Sequence, residues 1–320
     1  MADVSVVLCT RDGRRRGFLG DALNSVFSQS TPPTEVIVVD DGSTDGTGDW
    51  VRSHFPSATV IDGASRGLAA ARNRGVDVAR AQWIAFIDDD DLWLPDKLAA
   101  QAAQIDTAER PESTIWVALP ETFDTLPGRS TVPVRPQPHS ARWPACLLGN
   151  PVFASGAVIS KDLAERVGPF DEDLRFGAAY QFWIRCIAAG SDVRYTDHVL
   201  VQLRRHQEQM SASDRLVDGL LDIDSMLRVF LGGLPSELAL RVRTARMLTT
   251  WRAVLLSRGF RGAAEYWATT PLRPGQFDAR VGAYFLLDSA ARRGPRAWSQ
   301  WLWGEGTRLL FKGPGQSLAP

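Results

Sequence analysis

The sequence predicts an α/β fold: a mainly parallel sheet flanked by helices, followed by a helical C-terminal region. Two observations carry this expectation. Short, continuous apolar runs rich in Val and Ile, as in strands buried on both faces, alternate with segments of helical periodicity. Two of those runs stop abruptly at carboxylates, Asp40-Asp41 and Asp88-Asp89-Asp90-Asp91. In sheets of this kind ligands bind at the carboxyl ends of the strands.

The elements follow in order. Residues 4–9 (VSVVLC) read as the first strand, and Phe18, Leu19, Ala22, Leu23, Val26 and Phe27 recur at helical spacing. Residues 35–39 (EVIVV) form a second buried strand, followed by a helix from about Asp45 to His54. Thr59–Ile61 is a short strand, Leu68–Ala79 an Ala-rich helix, and Trp83–Ile87 (WIAFI) another strand. Pro95 suits the first turn of a helix running through Gln104. Strand–helix alternation implies right-handed crossovers and parallel pairing. Residues 120–144, rich in Pro, Thr, Arg and Gly, read as a long surface loop or flap. Short strands and two helices are expected from Asn150 to Leu203, then mostly helix from about Asp214. The domain boundaries read as 1–213 and 214–320. Trp298 to Phe311 holds three tryptophans. It reads either as a helix packed on its own domain or as one resting on a membrane interface.

Composition narrows the function. With 44 % hydrophobic and 23 % charged residues the chain is an ordinary globular one, and a net charge of −1 leaves no field to hold nucleic acid. Three widely spaced cysteines, Cys9, Cys146 and Cys186, have no zinc spacing and suit a reducing cytoplasm. The N-terminus lacks a signal-peptide h-region and no run of about 18 apolar residues occurs. A cytoplasmic protein is expected, with peripheral contact at the inner face of the membrane as the only membrane role.

The four consecutive aspartates are the central chemical signal. Adjacent carboxylates repel one another, and a hard cation such as Mn2+ or Mg2+, shared with a substrate phosphate, relieves that repulsion. The rival reading is a solvated acidic turn capping the following helix. For Asp40 and Asp41 the rival is likewise a turn that caps a helix.

Four segments occur in a telling order: VSVVLCTRDG, EVIVVDDGSTDGT, GLAAARNRG and WIAFIDDDDLWLPDKL. With VGPFDEDLRF and LRRHQEQMS further on, the chain resembles family 2 glycosyltransferases of the GT-A fold over roughly residues 4–212. These are inverting enzymes that use a nucleotide diphosphate sugar. The resemblance implies that Cys9, Thr10, Arg11 and Asp12 lie against the nucleotide base. Arg11 stands where an aromatic residue often stacks, and a guanidinium plane can also stack. Asp41 matches the aspartate that bonds the base, with Asp40 beside it. Arg66 and Arg72 flank the segment that closes over the nucleotide, and Arg72 could equally be an ion-pair partner. Asp88 and Asp90 form the D-x-D element that binds the metal, Asp89 lies near ribose or metal, and Asp91 orients the loop. Trp93 packs as core. His206 ends a late R-x-H element that reaches the metal or diphosphate in related enzymes, although a lone His is more often structural. Arg204 and Arg205 either neutralise diphosphate charge or end a strand in solvent. The implied partners are a nucleotide sugar donor and a hydroxyl-bearing acceptor: a glycan, a lipid-linked sugar or a natural product.

In one place the pattern breaks. An inverting transferase needs a general base to take the acceptor's proton, and the family places an acidic pair shortly after the turn found here at 167–172. In this chain that pair falls on Ala178 and Ala179. Alanine accepts no proton and forgoes the carboxylate's interaction with a helix N-terminus. The chain is therefore a base-deficient transferase, a non-catalytic nucleotide-sugar binder, or one in which Asp171, Glu172 or Asp173 takes over. A nucleotidyltransferase ranks last, because neither G-x-G-x-x-G nor a P-loop is present.

Overall fold

The structure is a computed structural model, and it describes residues 2–124, 132–133, 141–206, 213–240, 242–247, 250 and 254. The chain divides into two compact units, 1–146 with 150–209, and 147–149 with 210–320.

The first unit is built on one mixed sheet. Its strands are β1 (Val4–Thr10), β2 (Glu35–Asp40), β3 (Ala58–Asp62), β4 (Trp83–Asp88), β5 (Leu92–Trp93), β6 (Thr114–Asp124), β7 (Val132–Pro133), β8 (Ala157–Ser160) and β9 (Asp192–Arg205). Their order is β3-β2-β1-β4-β8-β6-β9-β5, with β7 paired to β6. The first four are parallel, as the alternation predicted. Beyond β4 the expectation of a mainly parallel sheet needs correction. β8 runs antiparallel to both β4 and β6, β5 antiparallel to β9, and only β6–β9 is parallel. The reason is connectivity: β1 to β4 are joined by helical crossovers, whereas β8 arrives after a long excursion.

Helices α1 (Gly13–Arg16), α2 (Leu19–Phe27), α3 (Thr47–His54), α4 (Leu68–Val78), α5 (Lys97–Asp106), α6 (Lys161–Val167) and α7 (Ala178–Ala188) accompany the sheet. Every residue of β1 is buried, consistent with helices on both faces. α2 buries Leu19, Ala22, Leu23 and Val26, the stripe its periodicity marked. Burying each of the two leucines and the valine stabilises the fold by about 1.5–3 kcal/mol. α4 seats on β1 through Gly75, where an added Cβ would lie 2.3 Å from Cγ1 of Val7. Gly75→Ala is expected to lower the melting temperature. The overlap costs about 1–3 kcal/mol, towards the upper end at so short a distance, against a helix-propensity gain of about 1 kcal/mol. A melting curve that rises would show that α4 shifts freely.

Three local expectations move. The helix at Pro95 begins two residues later, at Lys97, with Asp96 as its N-cap. Leu92–Trp93 pairs with Val201–Gln202 and the Leu94 amide donates to the Leu200 carbonyl at 2.9 Å, which holds the chain extended up to Pro95. Of the loop expected at 120–144, residues 120–124 belong instead to β6, which passes through Pro120 at a register irregularity and continues to Asp124, and residues 125–131 and 134–140 lie outside the described residues. Such irregularities accommodate proline. β9, expected among short strands, is 14 residues long. On α5, Lys97 is wholly buried, with its Nζ 3.7 Å from the centroid of the Trp93 ring. That nitrogen has no hydrogen-bond partner among the described residues.

In the second unit, α8 (Ser213–Leu231) is followed by helical residues at 236–240 and 242–247. Asp224 ties these segments, accepting from Arg246 Nε at 2.9 Å and from Thr250 Oγ1 at 2.6 Å. The tryptophan-rich segment Trp298 to Phe311 lies outside the described residues. Among the described residues no helix is long and apolar enough to cross a membrane.

Candidate active site

The parallel strands bring three polar ends together. In register, Thr10 of β1 faces Asp40 of β2, and Cys9 faces Asp88 of β4. These ends form the carboxyl edge of β1, β2 and β4, and each carboxylate there has its own surroundings.

Asp40 is buried and folds back on its turn, accepting from the Ser43 amide at 3.0 Å and from the Ser43 hydroxyl. Asp41 is also buried. Its Oδ1 accepts from the Arg66 amide at 3.0 Å and its Oδ2 from the Gly67 amide at 2.8 Å, so the loop before α4 hangs on this carboxylate. Each carboxylate oxygen keeps a second lone pair. Asp12, at φ 52°, accepts from the Thr44 amide at 2.8 Å and joins the β1 end to the β2 loop. Arg11 is exposed. Burial pushes the Cys9 thiol up to about 12, which leaves it without thiolate character.

Residues 88–91 form a turn closed by the Asp91 amide donating to the Asp88 carbonyl at 3.2 Å. Asp88 pairs with the buried Arg72 at 2.6 Å. Asp89 points back under β1, accepting from Thr10 Oγ1 at 2.5 Å and pairing with Arg16. Burial raises it to about 6, with Arg16 and Thr10 opposing the shift. Asp90 Oδ2 lies 3.0 Å from His206 Nε2. Burial, and then the charge of Asp88, push the Asp90 carboxyl upward, while His206 opposes. Asp91 is raised well above its ordinary value by burial and by Asp90 and Asp88. It accepts from the Ser155 hydroxyl and, at 3.0 Å, from the Arg204 amide. Trp93 is core beneath this turn, its indole N–H donating to the Ser155 carbonyl at 2.6 Å.

Among the described residues no three ligating side chains converge in a ready-made metal cluster. The donor set nonetheless fits a hard cation that binds through one or two carboxylates and takes its remaining oxygens from a substrate phosphate. Asp90 is crowded by like charge and burial, and an imidazole stands beside it.

Ala178 and Ala179 open α7, whose first turn holds no acidic residue. The neighbouring acids are engaged in holding the turn. Asp171 accepts from Gln181 Nε2 at 3.0 Å and from the Asp173 amide at 3.1 Å. Glu172 accepts from Asn73 Nδ2 at 2.9 Å and pairs with Arg66. Asp173 is exposed. Sequence reasoning missed Arg16, Asn73 and Ser155. Arg16 stood within the basic run 14–16 without a mark of its own, and nothing in the local sequence distinguishes Ser155.

The carboxylates thus gather at the ends of neighbouring parallel strands in a sheet continued by antiparallel strands. Residues 5–132 match the model of glycosyl transferase family 2, and the sheet flanked by helices has the fold of the solved S. aureus TarS structures. TuaG of Bacillus subtilis is 38 % identical over 102 residues, which is 31 % of this chain and 40 % of TuaG. The uncharacterized glycosyltransferase RP339 of Rickettsia prowazekii is 22 % identical over 267 residues, 80 % of this chain and 81 % of RP339. Residues 1–349 of S. aureus TarS, solved in complex with UDP-GlcNAc, superpose with a TM-score of 0.56 at 19 % identity. That match covers 75 % of this chain and 70 % of the TarS fragment, and it is a likeness of fold.

Proposed function

We propose that this chain binds a nucleotide diphosphate sugar with Mn2+ or Mg2+ and, as its sequence stands, transfers the sugar to an acceptor hydroxyl only slowly, with inversion. The observation that carries the reading is the Asp90–His206 pair at the end of β4, next to Asp88 and across the sheet edge from Asp41. The acceptor is a glycan, a lipid-linked sugar or a natural product.

Asp41 meets the base, its carboxylate already oriented by the Arg66 and Gly67 amides. Thr10, Arg11 and Asp12 border the same pocket, and Arg72 offsets the charge of Asp88. Asp90, Asp88 and His206 would hold the metal, which when bound stabilises the departing diphosphate as a Lewis acid. The acceptor oxygen forms its bond to the anomeric carbon as the bond to the diphosphate breaks, and its proton must leave to a base. At the head of α7 there is none. Asp171 and Glu172 are committed to the turn, which favours base deficiency over replacement. If the acids never return, the same site serves as a non-catalytic nucleotide-sugar binder.

Calorimetry with UDP, GDP and dTDP tests the binding half. At least one nucleotide is expected to bind more tightly with Mn2+ than with EDTA. Asp90→Ala is expected to remove that difference while leaving EDTA affinity within about twofold, because the metal-independent contacts remain. Equal affinity with Mn2+ and EDTA in the unmodified chain would sink the metal assignment.

A further inference from the structure

Arg204, the penultimate residue of β9, faces neither solvent nor an open phosphate pocket. Its side chain is 8 % exposed. Its guanidinium packs against two phenyl rings, 4.5 Å from the centroid of Phe18 and 4.8 Å from that of Phe123. Nε donates to the Asp90 carbonyl at 2.9 Å, and Nη2 pairs with Asp21 at 3.1 Å. Its backbone amide donates to Asp91 at 3.0 Å. Two residues on, His206 reaches the Asp90 carboxylate at 3.0 Å. One strand end thus meets the aspartate turn at a carbonyl, a neighbouring carboxylate and the Asp90 carboxylate itself.

We infer that Arg204 is a positioning residue that fixes the Asp90 main chain and thereby sets the Asp90 carboxylate against His206, and that it does not contact the donor's phosphates. This rests on the reading of Asp90 and His206 as metal ligands. A phosphate needs guanidinium N–H groups with open approach. Here two rings lie against the guanidinium, Nε and Nη2 are engaged by the Asp90 carbonyl and Asp21, and the side chain is 8 % exposed. A planar fork that stacks between rings while donating in its plane is a property of arginine, and lysine lacks it. Partners that orient metal ligands typically carry about 10–100-fold in metal affinity.

The test measures Mn2+ binding in the presence of UDP, from the electron paramagnetic resonance signal of free Mn2+, for the full chain, Arg204→Lys and Arg204→Ala. UDP affinity in EDTA and a melting curve accompany each variant. Arg204→Lys keeps the charge and serves if the alanine variant folds poorly. Mn2+ affinity is expected to fall about 10–100-fold in both folded variants, with UDP affinity in EDTA unchanged within about twofold. Unaltered Mn2+ affinity in folded Arg204→Lys would overturn the inference. So would a loss of EDTA affinity as large as the Mn2+ loss, which would mark a direct phosphate contact. An unmodified chain without UDP-dependent Mn2+ binding overturns the metal reading itself, and that result is distinct from either of the others.

Discussion

Restoring the acidic pair, Ala178→Glu with Ala179→Asp, is expected to raise acceptor-dependent release of nucleoside diphosphate by about two orders of magnitude or more. A positioned general base contributes about 10²–10⁴-fold. The first turn of α7 suits the change: it holds no acid, and both alanines are partly exposed. New carboxylates there also gain from the helix N-terminus, by about 0.3–1 kcal/mol each. Donor affinity is expected to stay within about twofold, since the pair acts on the acceptor's proton. A rise in turnover without a change in donor binding identifies an interaction made in the transition state. Brisk transfer by the unmodified chain would overturn the base-deficient reading and direct attention to Asp171, Glu172 and Asp173, of which Glu172 and Asp173 are exposed.

Replacing Lys97 by Met is expected to stabilise the first unit by about 1–3 kcal/mol, the usual cost of a buried polar group without a partner. Lys97 is wholly buried, and burial holds its ammonium well below the ordinary range. The Trp93 face opposes this by favouring the cation, at about 0.5–2 kcal/mol. Burying an ion costs several kcal/mol, so the neutral amine wins. The sign with pH follows. The folded pKa lies below the unfolded one, so between the two the unfolded chain binds more protons and stability rises with pH. That rise ends at the unfolded value of about 10.4. Urea unfolding at pH 7 and pH 9 should therefore show a wild-type gain that Lys97→Met lacks. Equal pH dependence in the two chains would mean that Lys97 reaches solvent.

The parts of the fold that local pattern determines were legible. β1, β2 and β4 are continuous apolar runs, and their carboxylate ends mark the edge where the site lies. The two-residue strand β5 was not legible, because it exists only through pairing with β9. The different fates of the four aspartates were equally hidden. Asp89 turns back to Thr10 and Arg16, Asp88 to Arg72, Asp91 to Ser155 and Arg204, and Asp90 to His206. Those partners come from β1, α1, α4, the turn at 154–156 and the end of β9 with the residue after it, and no spacing within the aspartate run encodes them. The burial of Arg204, expected either to neutralise diphosphate or to end a strand in solvent, was hidden for a similar reason. Its rings, Phe18 and Phe123, are distant in sequence.

Asn73 behaves like a piece of main chain. Its side-chain amide donates to the Phe170 carbonyl at 2.9 Å and accepts from the Phe170 amide at 2.8 Å, an exchange ordinarily made between paired strands. The turn before α7 therefore takes its register from α4, the helix whose leading loop hangs on Asp41. The position for a proton acceptor is kept by contacts that do not involve residues 178 and 179. On the proposed reading, placing acids at 178 and 179 therefore asks nothing of the scaffold beyond those two side chains.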